Sequence, residues 1–116
     1  DVTSAGSAEV DAAVASAKAA FPAWAETPPL QRAALLREAA RRVRLHSREL
    51  ALLDAANCGN PVRAMQMDAE IAATQLDYFA GLVLEIKGET IPTANGALNY
   101  TLREPLGPVA RIFPFN

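Results

Sequence analysis

The chain has 116 residues, 51% hydrophobic and 21% charged, a composition typical of one small globular domain rather than a disordered segment. Its formal net charge of −2 gives no overall attraction to nucleic acids or anionic membranes. The single cysteine excludes an intrachain disulfide framework. No apolar run of about 18 residues and no signal-peptide pattern is present, so we expect a cytoplasmic location.

Two amphipathic helices are predicted in the first part of the chain. The first begins at Ser7 as N-cap, and we expect Pro22 to end or kink it. The second opens at Thr27, with Pro28 at its first helical position. Apolar residues at steps of about three and four mark the inner faces: Val10, Val14, Ala17 and Phe21 in the first helix, and Leu30, Ala34, Leu36, Ala40 and Val43 in the second.

Six arginines fall between Arg32 and Arg48, interleaved with Glu38 and Glu49. One interpretation is an anion or nucleic-acid patch, whose binding would depend steeply on salt. The other is a solvated helix face. We favour the solvated face because no aromatic side chain lies among these arginines and the chain is acidic overall.

A third, short helix is predicted from Ser47, and Gly59 has the position of a helix C-terminal glycine. His46, the only histidine, has no partner at ligand spacing, so no metal site is predicted. Cys58 precedes Gly59 with no histidine base near it in sequence. We interpret its thiol as structural rather than nucleophilic.

The longest helix is predicted to begin at Asn60 and Pro61 and to end at Gly88. The apolar residues of its inner face extend over about six turns. The extended segment Thr90–Pro92 and the turn Asn95–Gly96 then lead into a strand at Leu98–Leu102. A second strand is predicted over Val109–Phe113. The stripe of the long helix is Met65, Ala69, Ala72, Leu76, Phe79, Val83 and Ile86.

Short motifs in a fixed order carry a resemblance to a known family. Arg103–Gly107 followed by Pro114–Asn116 is similar to the Arg-x-Pro-x-Gly and Pro-Trp-Asn pattern of the aldehyde dehydrogenase superfamily, with Phe115 where Trp is usual. Within the superfamily, these motifs resemble those of betaine-aldehyde dehydrogenases. Further similar motifs cover nearly the whole chain: Ala20–Trp24, Pro28–Arg32, Gly59–Pro61 (with Asn60 where Lys is frequent), Tyr78–Gly81 and Gly88–Pro92.

The resemblance implies an NAD(P)-dependent oxidation of an aldehyde to a carboxylic acid through a cysteine thiohemiacetal. By residue-by-residue carry-over, Asn116 matches the side-chain donor of the oxyanion hole. An amide suits that role because it donates a hydrogen bond and cannot ionise. The cofactor-binding positions implied are Ile112, Phe113, Pro114 and Phe115, and the aldehyde tunnel positions are Met67 and Ile71.

The fold implied is α/β, with about four helices followed by two or three strands. Residues 1–97 correspond to the helical part of a Rossmann-type cofactor domain and residues 98–107 to an oligomerisation-type strand. Residues 108–116 correspond to the first strand of the Rossmann sheet, ending at the active site. The partners implied are a small-molecule aldehyde, NAD or NADP, the remainder of a parent chain and a homodimer or homotetramer, without nucleic acid, membrane or metal.

The family's nucleophilic cysteine, general-base glutamate, cofactor-binding lysine and glycine-rich turn have no counterpart in these residues. We therefore expect a piece of a longer protein, inactive by itself. The alternative is a non-catalytic helical interaction module derived from that family. An enzyme portion predicts large exposed apolar patches and unpaired strand edges, whereas an independent module predicts a complete core.

Overall fold

The computed structural model describes residues 4–113, which form four helices followed by a two-stranded antiparallel sheet. This agrees with the predicted order of elements. The described residues belong to two compact units, one made of 4–27 with 89–113 and the other of 28–88. The elements are α1 (Ser7–Glu26), α2 (Pro29–Leu45), α3 (Ser47–Cys58), α4 (Val62–Gly81), β1 (Thr90–Ile91) and β2 (Asn99–Tyr100).

The first helix, α1, is longer than the sequence predicts. Gly6 rather than Ser7 is its N-cap, and the Glu9 carboxylate accepts a hydrogen bond of 2.8 Å from the Gly6 N–H. The helix continues through Pro22 and ends at Glu26, so Pro22 does not end it, and the alternative of a kink at Pro22 stays a prediction. Proline removes a single intrahelical donor, and the turns already formed before it sustain the helix. No α1 residue is fully buried.

Alanines form the core of the second unit. Ala33 and Ala40 on α2, Ala51 on α3, and Ala73 and Ala80 on α4 are between 0% and 1% exposed. Each pair lies seven residues apart, about two helical turns, so both alanines of a pair occupy the same face. Because a methyl group occupies little space, these faces allow close contact between helices. Both α2 and α3 pack against α4.

The predicted inner stripes agree only in part with this packing. On α2, Ala40 is buried, but Leu30 is 63% exposed. On α4, Leu76 is half-buried, whereas Phe79 is 58% exposed. The helix faces predicted from bulky side chains therefore point in a different direction from the alanine faces that contact the neighbouring helices.

Backbone conformation explains the ends of α3 and α4 better than capping side chains do. Gly59 has φ +80° at the end of α3, as predicted for a helix C-terminal glycine. Pro61 rather than Asn60 occupies the N-cap position of α4. The same helix ends at Gly81 instead of reaching Gly88. Glycine has low helix propensity, and the Leu82 N–H closes the end by donating to the Phe79 carbonyl at 3.1 Å.

The hairpin of the first unit agrees with the predicted turn. Strands β1 and β2 pair Thr90 with Tyr100 and Ile91 with Asn99. Gly96 has φ +66° in the connection, a conformation that glycine adopts at low cost. The backbone pairing extends to Glu89 and Thr101, because the Thr101 N–H donates a hydrogen bond of 2.9 Å to the Glu89 carbonyl.

The strand predicted over 109–113 is not formed in the described residues. A strand requires a backbone partner in a ladder, and hydrophobicity alone cannot supply one. The assignment of 108–116 as the first Rossmann strand stays a prediction. Among residues 4–113, no helix combines the length and the apolarity that crossing a membrane requires.

Candidate functional site

The predicted site residues fall into two groups. Pro114, Phe115 and Asn116 lie outside the described residues, so their predicted roles stay predictions. Ile112 and Phe113 belong to the first compact unit, and Met67 and Ile71 belong to the second.

Ile112 and Phe113 carry large apolar side chains that are open to solvent. Ile112 is 96% exposed and Phe113 is 70% exposed. The Arg111 guanidinium lies 4.6 Å from the centre of the Phe113 ring, a cation–π contact that covers part of one ring face. The segment therefore offers an unpacked apolar surface directly before residue 114.

Met67 and Ile71 lie one turn apart on the exposed face of α4, at 60% and 48% exposure. Tyr78 continues this face, since it lies seven residues beyond Ile71, and it is 62% exposed. At about 100° per residue, this face points away from the side that carries Ala73 and Ala80. The alanine packing thus fixes which side of α4 remains open.

An ion-pair network, missed in the sequence, joins α2 to α4. The Arg44 guanidinium donates a hydrogen bond of 2.6 Å to the Asp77 carboxylate. Its Nε also lies 3.5 Å from a carboxylate oxygen of Glu70. Asp77 and Glu70 are seven residues apart, so one arginine spans about two turns of the neighbouring helix. Only the placement of opposite charges on two amphipathic helices could have indicated this network in the sequence.

Two other arginines of α2 pair with one glutamate of their own helix. Glu38 accepts hydrogen bonds of 2.7 and 2.9 Å from Arg41 and one of 2.8 Å from Arg42. These bonds, those from Arg41 foremost, hold the pKa of the Glu38 carboxyl at about 2, well below its usual range. Together with the Arg44 network, these pairs place three of the six arginines against carboxylates, and the solvated helix face stays a prediction.

Among the described residues, His46 and Cys58 have partners on the same or the following helix. The His46 Nδ1 lies 3.0 Å from a Glu49 carboxylate oxygen one turn further along. The Cys58 sulfur is exposed and lies 4.0 Å from the Met65 sulfur. In the described part of the chain, no cluster of three or more His, Cys, Asp or Glu side chains has the arrangement of a metal site.

Trp24 takes part in a contact within the first unit. Together with Phe21 on α1, it lines a shallow hollow that Gly107 and Pro108 close from the other side. The hollow measures about 170 Å³, below the roughly 300 Å³ at which ligand pockets begin. We interpret it as a packing contact that holds the turn before residue 109 against α1.

The chain matches the aldehyde dehydrogenase family over residues 1–116. It is 45% identical over 118 residues to an aldehyde dehydrogenase of Talaromyces stipitatus, covering 99% of this chain and 23% of that protein. It is 38% identical over 114 residues to 4-trimethylaminobutyraldehyde dehydrogenase of Homo sapiens, covering 98% of this chain and 23% of that protein.

A solved structure has the same fold over most of the chain. The crystal structure of PnpE in complex with nicotinamide adenine dinucleotide matches with a TM-score of 0.80 and 42% identity, over 85% of this chain and 20% of PnpE. These comparisons confirm the resemblance found in the motifs. The chain belongs to the aldehyde dehydrogenase family and has the fold of part of its α/β architecture. It spans about a quarter of the length of the curated relatives it matches.

Proposed function

We propose that this chain is part of an NAD(P)-dependent aldehyde dehydrogenase that oxidises an aldehyde to a carboxylic acid. The observation that carries the proposal is the match to the family along all 116 residues. The longer protein that contains the chain is called the parent protein below. In it, a cysteine thiolate from outside these residues adds to the aldehyde carbon and forms a thiohemiacetal oxyanion. Loss of a hydride from that carbon leaves a thioester, which water then cleaves to release the acid and regenerate the thiol.

The proposed contribution of Asn116 is a hydrogen bond to that oxyanion. Negative charge develops on the aldehyde oxygen as the sulfur attacks, and a fixed amide donor stabilises it more than it stabilises the neutral carbonyl. Its amide keeps its donor at every pH at which the thiolate exists. The motif Pro114–Asn116 supports this assignment.

The proposed cofactor surface is Ile112, Phe113, Pro114 and Phe115. When bound, NAD or NADP supplies the acceptor for the hydride that leaves the aldehyde carbon. Ile112 and Phe113 fit such a surface because both are more than two-thirds exposed and therefore free to cover an apolar part of a ligand. The similarity to PnpE, which binds nicotinamide adenine dinucleotide, supports the same cofactor class.

Met67 and Ile71 are the proposed walls of the aldehyde tunnel. Both are exposed on one face of α4, while the opposite face is occupied by helix packing. A flexible thioether beside a branched aliphatic chain gives an apolar wall that excludes water from the carbonyl. The 38% identity to human 4-trimethylaminobutyraldehyde dehydrogenase makes a quaternary-ammonium aldehyde a reasonable first substrate to test.

The pattern of exposure favours the enzyme portion over an independent interaction module. The buried hydrophobic residues are all alanines, and none of the larger described side chains is fully buried. Exposed apolar side chains occur on α1, on α4, in the hairpin and along 109–113. An independent module would need a core of larger side chains. Assembly as a homodimer or homotetramer and a cytoplasmic location stay predictions.

The experiment is a turnover assay on the purified parent protein. A series of aliphatic, aromatic and quaternary-ammonium aldehydes is supplied with NAD⁺ or NADP⁺, and reduced cofactor and carboxylic acid are both quantified. The proposal predicts one equivalent of acid for each equivalent of reduced cofactor. Absence of aldehyde-dependent cofactor reduction with every substrate would contradict it. The 116-residue chain alone should show no turnover, because the attacking thiol and the base lie elsewhere.

A further inference from the structure

We propose that Arg44 is a positioning residue for the aldehyde tunnel, because it fixes the rotation of α4 about its axis and thereby the direction of Met67 and Ile71. This inference rests on the proposed function. The Arg44 guanidinium reaches across from α2 and contacts Asp77 at 2.6 Å and Glu70 at 3.5 Å. No other charged contact described above joins these two helices.

The position of the two acidic residues on α4 gives Arg44 this influence. Glu70 directly precedes Ile71 and follows Met67 by three residues, so its side chain lies beside the proposed tunnel face. Asp77 lies two turns further along the same flank. Two attachment points on one helix resist rotation and sliding, whereas a single pair would act only as a hinge.

The helix contact beneath Arg44 makes such an attachment necessary. The buried residues of α2 and α4 are alanines, which have no side-chain rotamers and do not interlock as larger side chains do. The alanine contact fixes which face of α4 is buried, but methyl groups restrict small rotations about the helix axis less than interlocking side chains would. A guanidinium with fixed donor geometry, held by carboxylates, supplies the missing directionality.

Substrate affinity is the property that this role should change. All three side chains are partly exposed, at 39% for Arg44, 51% for Glu70 and 41% for Asp77. Solvent screening therefore limits the interaction to a modest size. In the parent protein, we expect Arg44→Asp and Asp77→Arg each to raise KM for a bulky aldehyde by roughly two- to fivefold. The KM for the cofactor should not change.

The charge-swapped double variant provides the decisive comparison. Arg44→Asp combined with Asp77→Arg restores one of the two opposite-charge contacts and should recover part of the lost aldehyde affinity. A small aldehyde such as propanal, which contacts little of the tunnel, should show a smaller KM shift than benzaldehyde in the single variants. Arg42→Gln is the matched control, because the described ion pair of Arg42, with Glu38, lies within α2.

Two results would overturn the inference. One is an unchanged KM for both aldehydes in the single variants, with or without a lower kcat, which indicates a purely structural ion pair. The other is a double variant no better than the single variants. If Arg44→Asp does not fold, Arg44→Gln with the same two aldehydes replaces it and is judged by the same KM shift. A wild-type parent protein without aldehyde turnover contradicts the proposed function itself, and the inference fails with it.

Discussion

Ala73 and Ala80 occupy one face of α4, seven residues apart, and both are shielded from solvent at 0% and 1% exposure. Their neighbour Ala72 lies on α4 as well but is exposed. The contact of α4 with the rest of its unit therefore depends on small side chains at defined positions. This arrangement predicts that a larger side chain at one of these positions is costly.

Ala73→Leu should destabilise the protein by about 1–3 kcal/mol, because three additional carbons must enter a closed helix contact. Ala72→Leu is the matched control: it makes the same chemical change one residue away on the exposed side and should alter stability by less than about 0.5 kcal/mol. Urea unfolding of both variants checks the prediction. Equal midpoints for the two variants would show that the alanine contact is not tightly packed.

Gly59→Ala should destabilise the end of α3 by about 1 kcal/mol, because φ +80° is costly for a residue with a Cβ. No atom lies within 4 Å of the added Cβ, so backbone conformation alone determines the cost. Gly81→Ala provides the opposite case, since its Cβ also meets open space at the end of α4 without a positive φ. It should stabilise the protein by about 0.5–1 kcal/mol. If thermal or urea unfolding shows that both variants change the free energy of unfolding in the same direction, the positive φ at Gly59 is contradicted.

The Glu38 carboxyl should titrate at a pKa of about 2 in carbon NMR, because Arg41 and Arg42 hydrogen-bond its ionised form. Because the pKa of Glu38 is lower in the folded protein than the ordinary carboxyl value, its ion pairs stabilise the folded state at pH values above that ordinary pKa. This stabilisation is lost as pH falls toward about 2. Replacing both arginines by glutamine should return the pKa to its usual range. The Glu9 carboxyl is the control, because backbone N–H groups of Glu9 and Gly6 lower its pKa and should continue to do so.

Cys58→Ser should leave kcat of the parent protein unchanged. The thiol is exposed at the end of α3 and contacts the Met65 sulfur. Loss of the true nucleophile lowers kcat by several orders of magnitude, so the two roles are easily separated. A fall of that size in the kcat of Cys58→Ser would instead indicate that Cys58 belongs to the active site.

The sequence predicted the element types better than their contacts. The turn at Asn95–Gly96 and the glycine end of α3 follow from residues whose backbone preferences are strong and local. The buried face of α4 could not be predicted in the same way, because apolar periodicity follows bulky side chains such as Phe79, whereas α2 packs against alanines. The Arg44 network likewise depends on which helix lies opposite, a tertiary fact that spacing along one helix does not contain.

The residues proposed for chemistry came from ordered motifs rather than from periodicity. Met67 and Ile71 are ordinary members of an amphipathic helix, and nothing in their spacing distinguishes a tunnel wall from a core stripe. The structure places both on the open face of α4. For Ile112 and Phe113, an apolar run predicted a strand. Strand formation, however, requires a partner strand that the described residues do not provide.

The most direct test of the account is the turnover of the parent protein with Asn116→Ala. If the Asn116 amide stabilises the oxyanion, kcat should fall about 10²- to 10³-fold with little change in KM for aldehyde or cofactor. Asn57→Ala, an exposed amide on α3, should retain wild-type kcat. A kcat for Asn116→Ala equal to that of Asn57→Ala would contradict the assignment of this chain's catalytic contribution.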